Sequence, residues 1–293
     1  MCAIAPRIPP VRILSLMFVL ILLSGCTAHP ITGRDQMVMM PVAQIAYADA
    51  DFSLSAGAKR IAASRACVEN CASVHRTVLL AGRVKDLGKR LTIAARDMSP
   101  ELFARIGQFK IKVDDDLGIA TASSAGGRIV IGAGVADLES QLAGGDVAGR
   151  ASLESGLGEL EPQDILIAFL IAREMAHVIA RHAEEDSGAS IAVSAIGLLI
   201  PGVHVIARLL VSRVSANALR ESWVSAQERE ADEIALALLE KCGWSVRSVS
   251  LWMERGIEPA RLPGDAWGKA FLKSSQRVAY LAASSLRYAE TGY

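Results

Sequence analysis

Two short charged runs in the second half of the chain carry the side chains best suited to chemistry. The first is residues 173–177 (REMAH) and the second is residues 228–232 (EREAD). Residues four apart on an α-helix share one face, so each run presents its two end residues side by side. Each run alone also fits an ordinary helix with a solvated charged face. The two runs together suggest a site built for a metal ion and a water molecule.

The first run is a departure from a known zinc pattern. In the motif His-Glu-x-x-His, two histidines bind zinc and the glutamate between them activates the metal-bound water. Glu174 and His177 stand in two of these positions, but Arg173 replaces the first histidine. A guanidinium stays cationic and has no lone pair to donate, so it does not ligate zinc. His182 is no substitute, because on a continuous helix it lies about 140° round from His177.

The second run supplies carboxylates at helical spacing. A zinc peptidase of the glutamate-ligand type takes its third ligand from a second helix and uses a further carboxylate to orient a histidine. Glu228 and Asp232 are four residues apart in a segment that is strongly helical up to residue 240. With Arg173 in the first position, two protein ligands would remain where catalytic zinc normally has three.

Apolar periodicity predicts the elements that position these runs. Residues 164–184 form the most informative helix, with Pro162 suited to its first turn and a buried face of large apolar residues. Residues 52–98 are rich in Ala, Leu and Arg, with apolar residues at intervals of three and four. Because most of the chain follows this period, the predicted fold class is α+β and mainly α-helical.

A small β-sheet is predicted in the middle of the chain. Residues 109–113 alternate between apolar and polar, and residues 128–131 form a second strand pattern. Gly126 and Gly127 permit a tight turn, so we expect a hairpin or a short sheet. The aspartates at 114–116 lack the spaced ligands of a calcium loop and predict a solvated turn.

Three further stretches have weaker patterns. Residues 141–161 are rich in Gly and acidic residues and predict a loop, whereas residues 251–287 predict helices. Residues 189–212 are almost all apolar but are interrupted by Pro201-Gly202, which favours two short helices over a membrane span. This pair is either a cover or contact surface, or a buried core hairpin.

The N-terminus has the form of a bacterial lipoprotein signal. Arg7 and Arg12 precede an apolar run at 13–23, which ends in Leu-Ser-Gly-Cys26. We expect residues 1–25 to be removed, Cys26 to be lipidated and residues 26–51 to form a tether and extended segment. Thr27 favours the outer membrane, on its periplasmic side. An uncleaved anchor, or an ordinary signal peptide with a chance cysteine, remains the alternative.

Composition excludes several classes of protein. The 293 residues carry 31 Lys and Arg against 31 Asp and Glu, which argues against a nucleic-acid-binding protein. A hydrophobic content of 52% argues against a disordered chain. Five cysteines are too few for a disulfide scaffold of this size. Whether Cys67, Cys71 and Cys242 pair with one another is left open.

Taken in order, these motifs resemble one family. The chain is similar to the HtpX-like and CAAX-prenyl-protease-like zinc metallopeptidases (peptidase family forty-eight), and in particular to their BepA-type periplasmic lipoprotein branch. The resemblance covers about residues 29–285. The matching segments are 173–182 (REMAHVIARH, like HExxHxxxRH), 228–232 (EREAD, like ExxAD), 29–40 (HPITGRDQMVMM, like NPVTGRxQ), 120–134 and 242–245.

The resemblance implies roles for particular residues. His177 and Glu228 would be zinc ligands, Glu174 the general base, and Asp232 a carboxylate that orients a ligand histidine. A gluzincin-type domain is expected over residues 52–293. The chain departs from the family at Arg173, at 120–122 (Ala-Thr-Ala in place of Asn-Ala-Phe) and at Phe271-Leu272, near where relatives often have His-Pro.

These departures predict a protein that has kept the fold and lost the metal. Arg173 is expected to place its guanidinium in the metal position and pair with Glu228 or Glu174; the alternative is that it extends to solvent. The expected function is that of an envelope lipoprotein that binds unfolded polypeptides or envelope proteins without cleaving them. An active zinc metalloendopeptidase in periplasmic quality control, or a purely structural envelope protein, is the alternative.

Overall fold

The computed structural model of the chain describes residues 26–29, 31–37, 74–117, 121–136, 164–187 and 226–246. The chain divides into two compact units: Met1–Ala48 with His182–Ser225 is unit 1, and Asp49–Arg181 with Ala226–Tyr293 is unit 2. Several predicted features lie outside the described residues. They are the signal peptide, the Cys67 and Cys71 pair, the loop at 141–161, the apolar stretch at 189–212 and the helices at 251–287.

The described residues of unit 1 form two short strands and a helical segment of six residues. Strands β1 (Cys26–Ala28) and β2 (Asp35–Met37) pair in antiparallel fashion, with Cys26 opposite Met37. Residues 182–187 are helical and form α4. Residues 26–28 and 35–37 of the predicted tether are therefore paired strands.

The described residues of unit 2 are mainly helical. Helix α1 (Val74–Met98) buries Leu80, Val84 and Leu91 one to two turns apart, which is the stripe that its apolar period predicts. Pro100 then starts the short helix α2 (Pro100–Ile106), a position where its missing N–H has no cost. The predicted helical character of this region is confirmed for residues 74–98.

Helix α3 (Ile165–Ile179) is the central helix of unit 2. Every residue in it is buried except His177, because α3 packs against α1 and against two strands, Thr121–Ser123 and Arg128–Gly132. At its start, Asp164 accepts a hydrogen bond of 2.5 Å from Arg83 Nε of α1. A helix that is apolar on almost all faces is a core helix, so its few polar residues need partners inside the protein.

The predicted helix over 164–184 is not continuous. Helix α3 ends at Ile179, and Arg181 adopts a left-handed conformation with φ 60° before the helical residues 182–187 begin. Apolar periodicity runs across this break and therefore does not reveal it. The estimate that His182 lies about 140° round the helix from His177 assumed a continuous helix. It does not apply, because α3 ends before His182.

The predicted sheet exists, with a different connection. Strands β3 (Lys110–Asp114), β4 (Thr121–Ser123) and β5 (Arg128–Gly132) are ordered β3-β5-β4. The hairpin joins β4 to β5, whereas β3 and β5 run parallel. Strand β4 lies between β3 and β5 in the sequence and runs antiparallel to β5. The chain therefore reverses direction before β5, and β5 runs parallel to β3.

The aspartates after β3 only partly follow the prediction. Asp115 is exposed and begins the 3-10 turn Asp115–Leu117, as a solvated turn requires. Asp114 instead is buried and is the last residue of β3. Its carboxylate lies 3.9 Å from Lys112 Nζ, and the backbone carbonyl of Asp114 accepts from Ala133 N–H. The prediction of a solvated turn was wrong for Asp114 because the strand extends one residue further.

Helix α5 carries the second charged run and ends beside a free cysteine. Residues 226–241 are helical, which confirms the prediction for 228–240. Cys242 has a free thiol, and its carbonyl accepts 3.2 Å from Arg90 Nη2 of α1. Gly243, at φ 77°, turns the chain so that Trp244 enters the core beneath Arg90. Burial raises the pKa of the Cys242 thiol to about 11, although Arg90 opposes that shift.

No helix among the described ranges combines the length and the apolar character that crossing a bilayer requires.

We expect Gly127→Ala to destabilise unit 2 more than Gly243→Ala. Both glycines have φ 77°, so each alanine costs about 1 kcal/mol in backbone strain. At Gly127 a Cβ would also lie 2.8 Å from Ile106 Cδ1, whereas at Gly243 nothing lies within 4 Å. The added crowding should cost about 1 kcal/mol more in urea unfolding. Equal losses would show that the contact with Ile106 does not constrain the turn.

We expect Cys242 to resist alkylation in the native protein. A thiol with a pKa of about 11 is far less ionised at pH 8 than one with its ordinary value of 9.0, so native alkylation should be about a hundredfold slower than in urea. Mass spectrometry of the peptide containing Cys242 measures the rate of alkylation. Similar rates in buffer and in urea would contradict this assignment.

The raised pKa of Cys242 also makes the stability of the fold depend on pH. Its contribution favours folding below pH 9 and is lost as the pH rises through 11.

Candidate functional site

Helices α3 and α5 bring the predicted site residues of both charged runs into one place. Arg173, Glu174 and His177 come from α3, and Glu228 and Asp232 come from α5. Their grouping follows from the spacing of each run, since residues one turn apart project from the same side of a helix. The other predicted site residue, Cys26, belongs to strand β1 of unit 1.

Arg173 is the centre of the group. Its Nη2 donates to Glu228 Oε2, and its Nε donates to Asp232 Oδ1 at 3.3 Å. Its Nη1 lies 3.8 Å from Glu174 Oε1. The side chain is 3% exposed, so the alternative in which Arg173 extends to solvent was wrong. The prediction that it pairs with Glu228 or Glu174 is confirmed, and Asp232 is an additional partner.

The charges explain why this guanidinium is tolerated inside the protein. A buried, unpaired cation costs several kcal/mol, and partners with good geometry offset that cost. Asp232 is fully buried and Glu174 nearly so, and each contacts Arg173 from a different side. Arginine presents five donors in a rigid plane, which suits a cation with several carboxylate partners. Three carboxylates and one guanidinium therefore form a single charge network.

Glu174 has a second partner that sequence reasoning missed. Thr121 of strand β4 donates its hydroxyl to Glu174 Oε1 at 2.6 Å, and both side chains are buried. The same carboxylate oxygen faces Arg173. Thr121 lies in the Ala-Thr-Ala segment at 120–122, but nothing in that local sequence indicates a bond to Glu174. Glu174 is thus held by two neighbours.

His177 and Glu228 form the part of the site that faces solvent. Their side chains are 19% and 33% exposed, unlike those of Arg173 and Asp232. His177 Nε2 lies 3.9 Å from Glu228 Oε1, and the other oxygen of Glu228 accepts from Arg173. Glu228 is therefore shared between an imidazole at the surface and a guanidinium beneath it.

This arrangement does not fit a catalytic zinc ion. Such an ion uses three protein ligands and one water molecule, and here His177 and Glu228 occupy two of the three expected ligand positions. The third position holds the guanidinium of Arg173, which donates to Glu228 and would repel a metal ion beside it. Across the described parts of the chain, no group of three or more His, Cys, Asp or Glu residues is arranged to hold a metal ion.

We expect Arg173→Met to destabilise the protein by about 3 kcal/mol at pH 7, because removing one partner of a buried ion pair leaves like charges facing one another. Methionine keeps most of the length and apolar stem of arginine, so the loss reports on charge more than on packing. Urea unfolding followed by circular dichroism measures the change.

Arg83→Met is the matched control. Like Arg173, Arg83 is an arginine on a helix that pairs with a carboxylate, in this case that of Asp164. Unlike Arg173, the side chains of both Arg83 and Asp164 are partly exposed. Partly exposed ion pairs contribute about 1 kcal/mol or less, so this variant should lose far less stability. If the two variants lost the same amount, Arg173 would not be balancing the three carboxylates.

Comparison with known proteins adds no family to this geometry. A scan of the chain against protein-family models finds no match, and a search of curated proteins finds none that is significantly similar.

Proposed function

We propose that the chain is a metallopeptidase-like pseudoenzyme of the bacterial envelope. It binds unfolded polypeptides or envelope proteins and does not cleave them. It is anchored in the outer membrane through lipidated Cys26 and faces the periplasm. The observation that carries the proposal is the buried guanidinium of Arg173 among the carboxylates of Glu174, Glu228 and Asp232.

A guanidinium takes over only one of the two tasks of a zinc ion. It places a positive charge among the carboxylates of both helices and so holds α3 and α5 together. It has no vacant orbital, so it does not lower the pKa of a water molecule or polarise a peptide carbonyl as a Lewis acid. The expected result is a protein that keeps its architecture and lacks the nucleophile for peptide hydrolysis.

The state of Glu174 supports the same proposal. A general base needs a free lone pair that faces its water molecule at hydrogen-bond distance. One oxygen of Glu174, Oε1, accepts from Thr121 and faces Arg173. We therefore propose that this carboxylate has a structural role as an anion that accompanies Arg173.

The fold and the N-terminus are compatible with the rest of the proposal. The described residues form a mainly helical α+β structure with a three-stranded sheet, which is the coarse architecture that the family resemblance implies. The basic and apolar residues that precede Leu-Ser-Gly-Cys26 support the envelope location.

Metal content and peptidase activity test the loss of chemistry. We expect the purified chain to contain no stoichiometric zinc after exposure to zinc and dialysis, and to leave casein intact. Arg173→His should restore zinc binding, because an imidazole would then stand beside His177, Glu228 and Asp232. Arg173→His combined with Glu174→Gln is the control, since it keeps the ligands and removes the base.

Binding of clients is measured separately. The unmodified chain should suppress the aggregation of a chemically denatured protein at stoichiometric concentration. Zinc in the unmodified chain together with casein cleavage that Glu174→Gln abolishes would establish the alternative, an active metalloendopeptidase. Neither cleavage nor suppression of aggregation would leave a purely structural envelope protein.

A further inference from the structure

The pairing of β1 with β2 starts at the predicted lipidation site. Cys26 is the first residue of β1 and lies opposite Met37, and Thr27 lies opposite Gln36. If Cys26 is the first residue of the mature protein, the strand begins at the residue that carries the lipid. The paired structure therefore includes the anchor residue itself.

The turn between the two strands is fixed by its own hydrogen bonds. His29 N–H donates to the Arg34 carbonyl, and Gly33 N–H donates to the His29 carbonyl, both at 2.8 Å. The buried His29 ring accepts from Thr32 N–H through Nδ1 at 3.3 Å. Gly33 has φ 70°, a conformation that glycine adopts without strain. The hairpin is thus a defined structure with a closed turn.

A partly buried ion pair attaches this hairpin to α4, which is also part of unit 1. Arg34 Nη1 and Nη2 donate to Glu185 Oε1 and Oε2 at 3.0 and 2.7 Å. Glu185 is buried, and a two-pronged guanidinium–carboxylate pair is among the stronger polar contacts in proteins. The pair connects the residues next to the anchor with a helical segment about 150 positions later in the chain.

We infer that unit 1 docks on the lipid bilayer surface without an intervening linker. The inference rests on the proposed lipidation of Cys26. A flexible tether over residues 26–51 would give a root-mean-square reach of about 25–30 Å. The hairpin and the Arg34–Glu185 pair remove that slack between the lipid and α4. The hairpin and α4 therefore stay at the level of the lipid headgroups.

The test places fluorophores on the full-length, lipidated chain in vesicles of phosphatidylethanolamine and phosphatidylglycerol. Cys67, Cys71 and Cys242 are changed to serine, and Ile31→Cys or Ala183→Cys then accepts the label. Ile31 is exposed in the turn of the hairpin, and Ala183 is partly exposed on α4. A spin label on the lipid headgroup quenches fluorophores that lie near the membrane surface.

Both labels should be strongly quenched in the unmodified hairpin. Insertion of about twenty Gly and Ser residues between Cys26 and Thr27 adds a reach of about 25 Å, and quenching at both positions should fall about twofold or more. Arg34→Ala should reduce quenching at Ala183→Cys. The charge exchange of Arg34→Glu with Glu185→Arg should restore it, which separates the role of the ion pair from general damage to the fold.

The outcomes separate this inference from the proposal on which it rests. Mass spectrometry of the N-terminal peptide that showed no lipid on Cys26 would overturn both the membrane location and the docking, and would leave the Arg173 network and its tests untouched. A lipidated chain whose quenching is unchanged by the inserted linker would overturn the docking alone. Loss of quenching on linker insertion, with rescue by the charge exchange, is the result that we expect.

Discussion

The structure of unit 2 depends on one permanently charged side chain at its centre. Arg173 is buried in a helix whose other residues, apart from Glu174 and His177, are apolar, and the carboxylates of Glu174, Glu228 and Asp232 are what make that burial tolerable. The constraint is mutual, because each carboxylate would lose a cationic partner without the guanidinium. Arg173 thus connects α3 with α5, and Glu174 extends the network through Thr121 to strand β4.

This constraint connects fold and function. A metal ion held by the same helices would leave an exchangeable position for water, whereas a side chain on a covalent stem leaves none. His177 and Glu228 stay at the surface of the site, so an imidazole and a carboxylate remain accessible above the buried guanidinium. The proposed binding of polypeptides would depend on shape and surface chemistry and not on a metal ion.

Sequence reasoning predicted the parts of the structure that follow from spacing. The helices around 173–177 and 228–232 and the meeting of their site residues came from helical periodicity, and the pairing of Arg173 came from its charge. The break at Arg181 and the parallel arrangement of β3 and β5 were missed, because residue patterns report burial but not backbone handedness or strand order. The bond from Thr121 to Glu174 spans 53 positions and depends on tertiary packing that no local pattern contains.

The burial of Arg173 also has a consequence for substitutions at this site. A guanidinium inside a helix core needs anions around it, since an uncompensated one costs several kcal/mol. An apolar residue in place of Glu174, Glu228 or Asp232 would therefore weaken the fold through the positive charge that it leaves less well compensated. Loss of activity in such a variant would not by itself identify a catalytic carboxylate, because a folding defect produces the same result.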